Sequence, residues 1–102
     1  MEYIQRLSDK IDDEIDDAIE YAEMAMDFRE DYPAVADAII KISDEEMKHM
    51  NILHGLVVSI IEAYRKDKGE PPELMKAIYK ATHKKQIAHA AEAKAYQSMY
   101  KE

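Results

Sequence analysis

The chain has 102 residues, 22 of them acidic and 14 basic, for a formal net charge of -8, and it contains no cysteine. Disulfides, thiolate metal sites, iron–sulfur clusters and a cysteine nucleophile are therefore excluded, and an acidic balance argues against a nucleic-acid partner, which requires a basic face. The length fits one domain over residues 1–102, with a real but thin core.

No apolar segment approaches the ~20 residues needed to cross a bilayer, so no membrane partner is expected. Met1–Arg6 shows no basic stretch leading into an apolar run, and the chain reads as cytoplasmic.

The first helix starts at or before Ser8, where Asp9, Asp12 and Asp13 favour the positive end of a helix dipole. Apolar positions recur with helical spacing at Ile4, Leu7, Ile11, Ile15, Ala18, Ala22 and Ala25/Met26. The pattern stops near Asp31-Tyr32-Pro33, because proline disfavours helix in the residue before it and suits the first turn of the next.

A second helix is predicted from about Pro33 to Asp67, with the stripe Val35, Ile39, Ile42, Met50, Leu53, Val57, Ile60 and Tyr64. Gly55 lies inside it at a cost of about 1 kcal/mol. Gly69 and Pro71-Pro72 mark a stop and a new start.

The third helix runs from about Pro72 to Tyr100 with the stripe Met75, Ile78, Thr82, Ala93, Tyr96 and Tyr100. No strand candidate, internal repeat or long linker is visible. Short connections force antiparallel neighbours, so the fold class is all-α: an antiparallel bundle of three long helices.

On a helical wheel Glu46 falls in the middle of the second helix's apolar face, defined by Ile39, Leu53, Val57 and Tyr64, and His49 lies one turn on toward the same face, so that the site is expected to be buried. A carboxylate in such a place is costly unless paired or bound to metal. Glu14 interrupts the first stripe, and His89 with Glu92 interrupts the third. Depth along the bundle gives an independent check. In an antiparallel hairpin, residues at one level have numbers summing to twice the turn midpoint. A turn near Gly69 sets Glu46 opposite position 92 and His49 opposite 89, and a turn at Asp31/Tyr32 sets His49 opposite 14. Glu14, Glu46, His49, His89 and Glu92 thus share a level. Mixed carboxylate and imidazole ligands bind Fe, Mn or Zn, and i, i+3 spacing brings two of them to one ion or ion pair.

These residues resemble the ferritin-like di-iron carboxylate superfamily, especially rubrerythrins and encapsulated ferritins. The likeness rests on Glu14 followed by Tyr21 and Ala25, then Tyr32-Pro33, then Glu46-x-x-His49. It spans residues 11 to 57, and the interval from Glu14 to Glu46 is close to the family's. The resemblance implies a di-iron cofactor, with Mn or Zn as other candidates, and ferroxidase, oxidase or iron-storage chemistry. The family supplies two Glu-x-x-His helices and two single-Glu helices, whereas this chain has three helices and a reversed His89-x-x-Glu92. Either the altered set completes the site within one chain, or a homo-oligomer brings in helices from a second copy, as in encapsulated ferritins.

Against this stands a non-enzymatic helical assembly or interaction module whose Glu/His cluster is structural, as hydrogen-bonded polar networks are common in cores. His54 and His83 lie off the stripe centres and are expected to face solvent. The methionines read as core filler, and Tyr21, Tyr64 and Tyr96 as packing residues. No phosphate loop, nucleophile motif or basic stripe is present.

Overall fold

The computed structural model describes residues 2–102; Met1, part of the N-terminal stretch considered above, lies outside them. Three helices account for nearly all of the described residues, which include no strand: α1 (Glu2–Phe28), α2 (Pro33–Lys68) and α3 (Glu73–Lys101). The boundaries follow local chemistry. The Tyr32 N–H still bonds to the Phe28 carbonyl at 2.8 Å, and Pro33 then opens α2 in the position where a missing N–H costs nothing. At the other end, Gly69 takes φ +82°, a left-handed conformation that suits glycine, and its N–H caps the Arg65 carbonyl.

The result is a rod of 56 × 19 × 18 Å. Its radius of gyration, 16.5 Å, exceeds the ~13 Å of a globular chain this long, because a helix of α2's length spans nearly the whole molecule. α1 and α2 form the main antiparallel pair. α3 returns alongside both, most intimately against α1.

α1 buries the stripe read from the sequence: Ile4, Ile11, Ile15, Ala18, Ala22 and Ala25 are enclosed, with Leu7 and Met26 half-buried. α2 differs. Its enclosed residues are Ala36, Ile40, Ser43, Met47 and Val57, while the larger Val35 and Ile42 stand 47% and 37% exposed. α3 buries Gln86, Ala90, Ala93, Gln97 and Tyr100, and leaves Ile78 55% exposed. The seam thus mixes small side chains (Ala18, Ala22, Ala25, Ala36, Ser43, Ala90 and Ala93) with Ile11, Ile15, Ile40, Met47 and Val57, and the small ones let helix axes approach closely while other large residues ride at the rim.

Polar groups within the seam are satisfied across helices. The Ser43 hydroxyl donates to the Ala18 carbonyl at 2.6 Å and accepts from Gln97 Nε2 at 2.9 Å. Gln86 Nε2 donates to the carbonyl and the hydroxyl of Ser8. Counting apolar residues misses such positions, because a buried glutamine is tolerable only when its partners are in place.

Candidate metal centre

The close α1–α2 seam fixes which side chains meet at mid-length. Ser43 bonds to Ala18; one turn along each helix lie Glu46 and Glu14. His49 Nδ1 sits 3.3 Å from Glu14 Oε2 and 3.8 Å from Glu46 Oε1. One ligand atom from each of the three residues lies within 4.8 Å of the other two, and no other such group occurs among the described residues. Since a carboxylate can only accept, His49 carries its proton on Nδ1 when it bonds to Glu14.

The trio lies at an edge. The side chains of Glu14 and Glu46 are 17% and 16% exposed, and that of His49 is 55% exposed. The expectation that Glu46 and His49 occupy the middle of α2's buried face is therefore corrected: with Ala36, Ile40, Ser43 and Met47 inward, Glu46 is a border residue and His49 looks outward.

Two carboxyls this close compete for charge. The hydrogen bond with Glu14 is the main reason that the Glu46 carboxyl is pushed up to about 7, with burial and the Glu14 charge adding and His49 opposing. The same bond with Glu46 is the main reason that Glu14 is held below its ordinary value, His49 assisting. Below about pH 7 the pair thus holds one proton between two acids, because like charges at short range disfavour ionising both.

Ligand atoms bound at ~2.1 Å to one ion lie at most about 4.2 Å apart, so separations of this order are compatible with a single transition ion after small side-chain rotations. The chemistry of the donor set, two carboxylates and an imidazole, suits Fe, Mn or Zn.

His89 and Glu92 are not brought to this group. His89 Nε2 pairs instead with Asp16 Oδ1 at 2.8 Å, and Glu92 is exposed. Their depth agrees with the level rule but their azimuth does not: α3 packs on the side of α1 that carries Ser8 and Asp16.

No protein-family model matches the chain, and no curated protein or solved structure matches it either. What the site can do is argued from its own geometry.

Two further histidines are corrected from their expected solvent-facing places. His54 and His83 are half-buried and stack across α2 and α3, ring centroids 4.8 Å apart and 20° from parallel. Tyr79 continues the column at 5.8 Å. His54 Nε2 and His83 Nδ1 are enclosed without a hydrogen-bond partner. The level rule that set Glu46 opposite position 92 sets His54 opposite 84, so their approach was readable from sequence.

Proposed function

We propose that the chain is a ferritin-like metal-binding protein in which Glu14, Glu46 and His49 form half of a carboxylate–histidine site, completed by a second copy. The observation carrying this reading is the convergence of these three ligand residues, two carboxylates and an imidazole, on an open face of the α1–α2 pair.

The surroundings of the trio support a partner copy. Seven-residue steps along a helix return to nearly the same azimuth. From Glu14 such steps lead to Leu7, Tyr21 and Phe28, and from His49 to Val35, Ile42 and Leu56. In the antiparallel hairpin these fall into levels, Phe28 with Val35, Tyr21 with Ile42 and Leu7 with Leu56, and the Glu14–His49 pair sits between them. Phe28, Val35, Ile42 and Leu56 are exposed, and Leu7 and Tyr21 are half-buried. α3 covers the other side. An apolar two-helix face of this kind fits another like it, giving a four-helix arrangement with four glutamates and two histidines at its centre, the ligand number of a di-metal carboxylate site.

In this reading Glu14, Glu46 and His49 would hold the metal, and binding a cation would release the proton shared by the two acids. Iron would supply redox chemistry towards oxygen, hence Fe(II) oxidation or iron handling; Mn or Zn would fit the same donors. Anaerobic titration with Fe(II), Mn(II) and Zn(II), followed by metal analysis and sedimentation equilibrium, tests both parts. Retained metal and a metal-strengthened dimer are expected, with Glu46→Ala/His49→Ala losing both. Less than about a tenth of an equivalent retained after reconstitution would sink the metal reading.

The second reading, a non-enzymatic assembly module, is favoured by the same apolar levels, since they require no ion in order to pair. It predicts that Glu46→Ala/His49→Ala keeps the oligomer and that metal leaves the melting temperature unchanged, whereas an ion bound only by the folded state raises it.

A further inference from the structure

At the end of the rod remote from the α1–α2 turn, the helices part around a cavity of about 300 Å³. Its walls are Ile4 of α1, Val58 and Ile61 of α2, Pro71 of the connecting loop, and Met75 and Tyr79 of α3. Arg65 and Lys76 stand at its edge, one from each helix, together with Glu62. Both cations reach the same carboxylate: Glu70 Oε1 lies 3.3 Å from Arg65 Nε, and Glu70 Oε2 lies 3.0 Å from Lys76 Nζ. Glu70 is in the Gly69–Pro72 loop and is itself exposed.

This is a half-open apolar pocket, two of whose lining residues, Arg65 and Lys76, already clasp a carboxylate, that of Glu70. Ligand sites generally have that form, apolar walls with a few converging polar groups, and volumes from roughly 300 Å³ upward. We propose that this cavity binds a single-chain carboxylic acid, its alkyl chain among the apolar walls and its carboxylate between Arg65 and Lys76 in the place now held by Glu70. The volume admits a medium-length chain and is too small for a two-chain lipid.

The charges define how the site would select. Glu62 and Glu73, the latter 3.6 Å from Lys76 Nζ, keep the mouth from being a strong cationic patch. Alkyl burial therefore supplies most of the affinity, and the two cations distinguish an acid from an alcohol. Lys76 holds the Glu70 carboxyl below its ordinary value, and Glu70 raises Lys76 in turn, as expected of a site suited to an anionic head. Glu70 is then a competitor tethered beside the mouth, and the incoming acid must displace it.

Isothermal titration calorimetry of the full chain with decanoate, octanoate and decanol tests the assignment, with methyl shifts of Met75 as a second readout. Saturable one-to-one binding of decanoate is expected, weakening about fourfold for each methylene removed. Arg65→Ala/Lys76→Ala should weaken decanoate about tenfold and leave decanol unchanged, while Glu70→Gln should strengthen decanoate several-fold. All three side chains lie on the surface, so circular dichroism should show the variants folded. Unsaturable heats, equal affinity for decanol and decanoate, or a Glu70→Gln variant that binds like the parent would overturn the proposal.

Discussion

The two halves of α3 are one continuous helix but are held very differently. From Gln86 to Lys101 it buries five residues, and its side chains bond to α1 and α2: Gln86 to Ser8, Gln97 to Ser43, Tyr100 to Asp37 and Lys101 to Asp44. From Glu73 to Lys85 it buries none. There Leu74 and Ile78 are exposed, two cavities flank Met75 and Tyr79, and the stacked imidazoles keep unpartnered nitrogens. Docking, and not helicity, separates them: backbone hydrogen bonds can run unbroken through a segment whose side chains have nothing to fill. Local stability should divide at the same place.

The sharpest way to break the comparison is at Ile15, fully enclosed at the middle of α1. Ile15→Ala should cost about 2–5 kcal/mol in urea unfolding, because a core this thin has little to collapse into the gap. Ala93→Leu should cost about 1–3 kcal/mol by forcing the closely packed half of α3 outward. If hydrogen exchange then accelerated only over residues 73–85, the division between the halves would be misplaced.

A pH experiment separates the metal-free trio from both halves. Glu46 is raised to about 7 in the folded chain, above its unfolded value. Between those values the folded state holds a proton that the unfolded state has released, so stability declines as pH rises from about 4.5 through 7. Glu14 has the opposite sign: its lowered value contributes stability above the unfolded range that is lost only on stronger acidification. Glu46→Gln should therefore abolish the decline and leave the metal-free protein about 1–2 kcal/mol more stable at pH 8. An unchanged pH slope in that variant would mean that the two acids do not share a proton.

Smaller effects sharpen the picture. At Gly55, exposed in mid-helix with open space around a would-be Cβ, Gly55→Ala should add about 1 kcal/mol. Ile78→Ala, on the loose half of α3, should change urea stability by less than about 0.5 kcal/mol.

The contrast between the halves also shows what the sequence disclosed. The turns between helices were legible to within a few residues because Pro33, Gly69 and Pro71-Pro72 act locally, but the helix start marked at Ser8 was not: α1 begins at Glu2, and Ser8 lies buried within it as an acceptor for Gln86. α1's stripe was legible because its isoleucines and alanines recur every three or four residues on either side of the Glu14 border position. The level of the candidate site was legible too, since antiparallel geometry depends only on turn position, and Glu14 and His49 meet where that rule sets them. Azimuth was not legible for α2 and α3. Val35, Ile42 and Ile78 drew the predicted stripes towards bulk, while the helices packed on Ala36, Ser43, Gln86, Ala90 and Gln97, and the polar three among these bond to cross-helix partners that lie 25 to 78 residues away. His89 followed that rotation to Asp16 and left the trio without α3.

Ser43 ties this packing to the chemistry. Its single hydroxyl touches all three helices at one point, giving to Ala18 and receiving from Gln97. Ser43 stands one turn before Glu46, and Ala18 one turn after Glu14. That oxygen is consequently the datum from which the angular setting of both acids is measured, so an exchange at a position far from any solvent, and out of reach of an ion, would be read as a change in ligand alignment before it was read as a loss of fold.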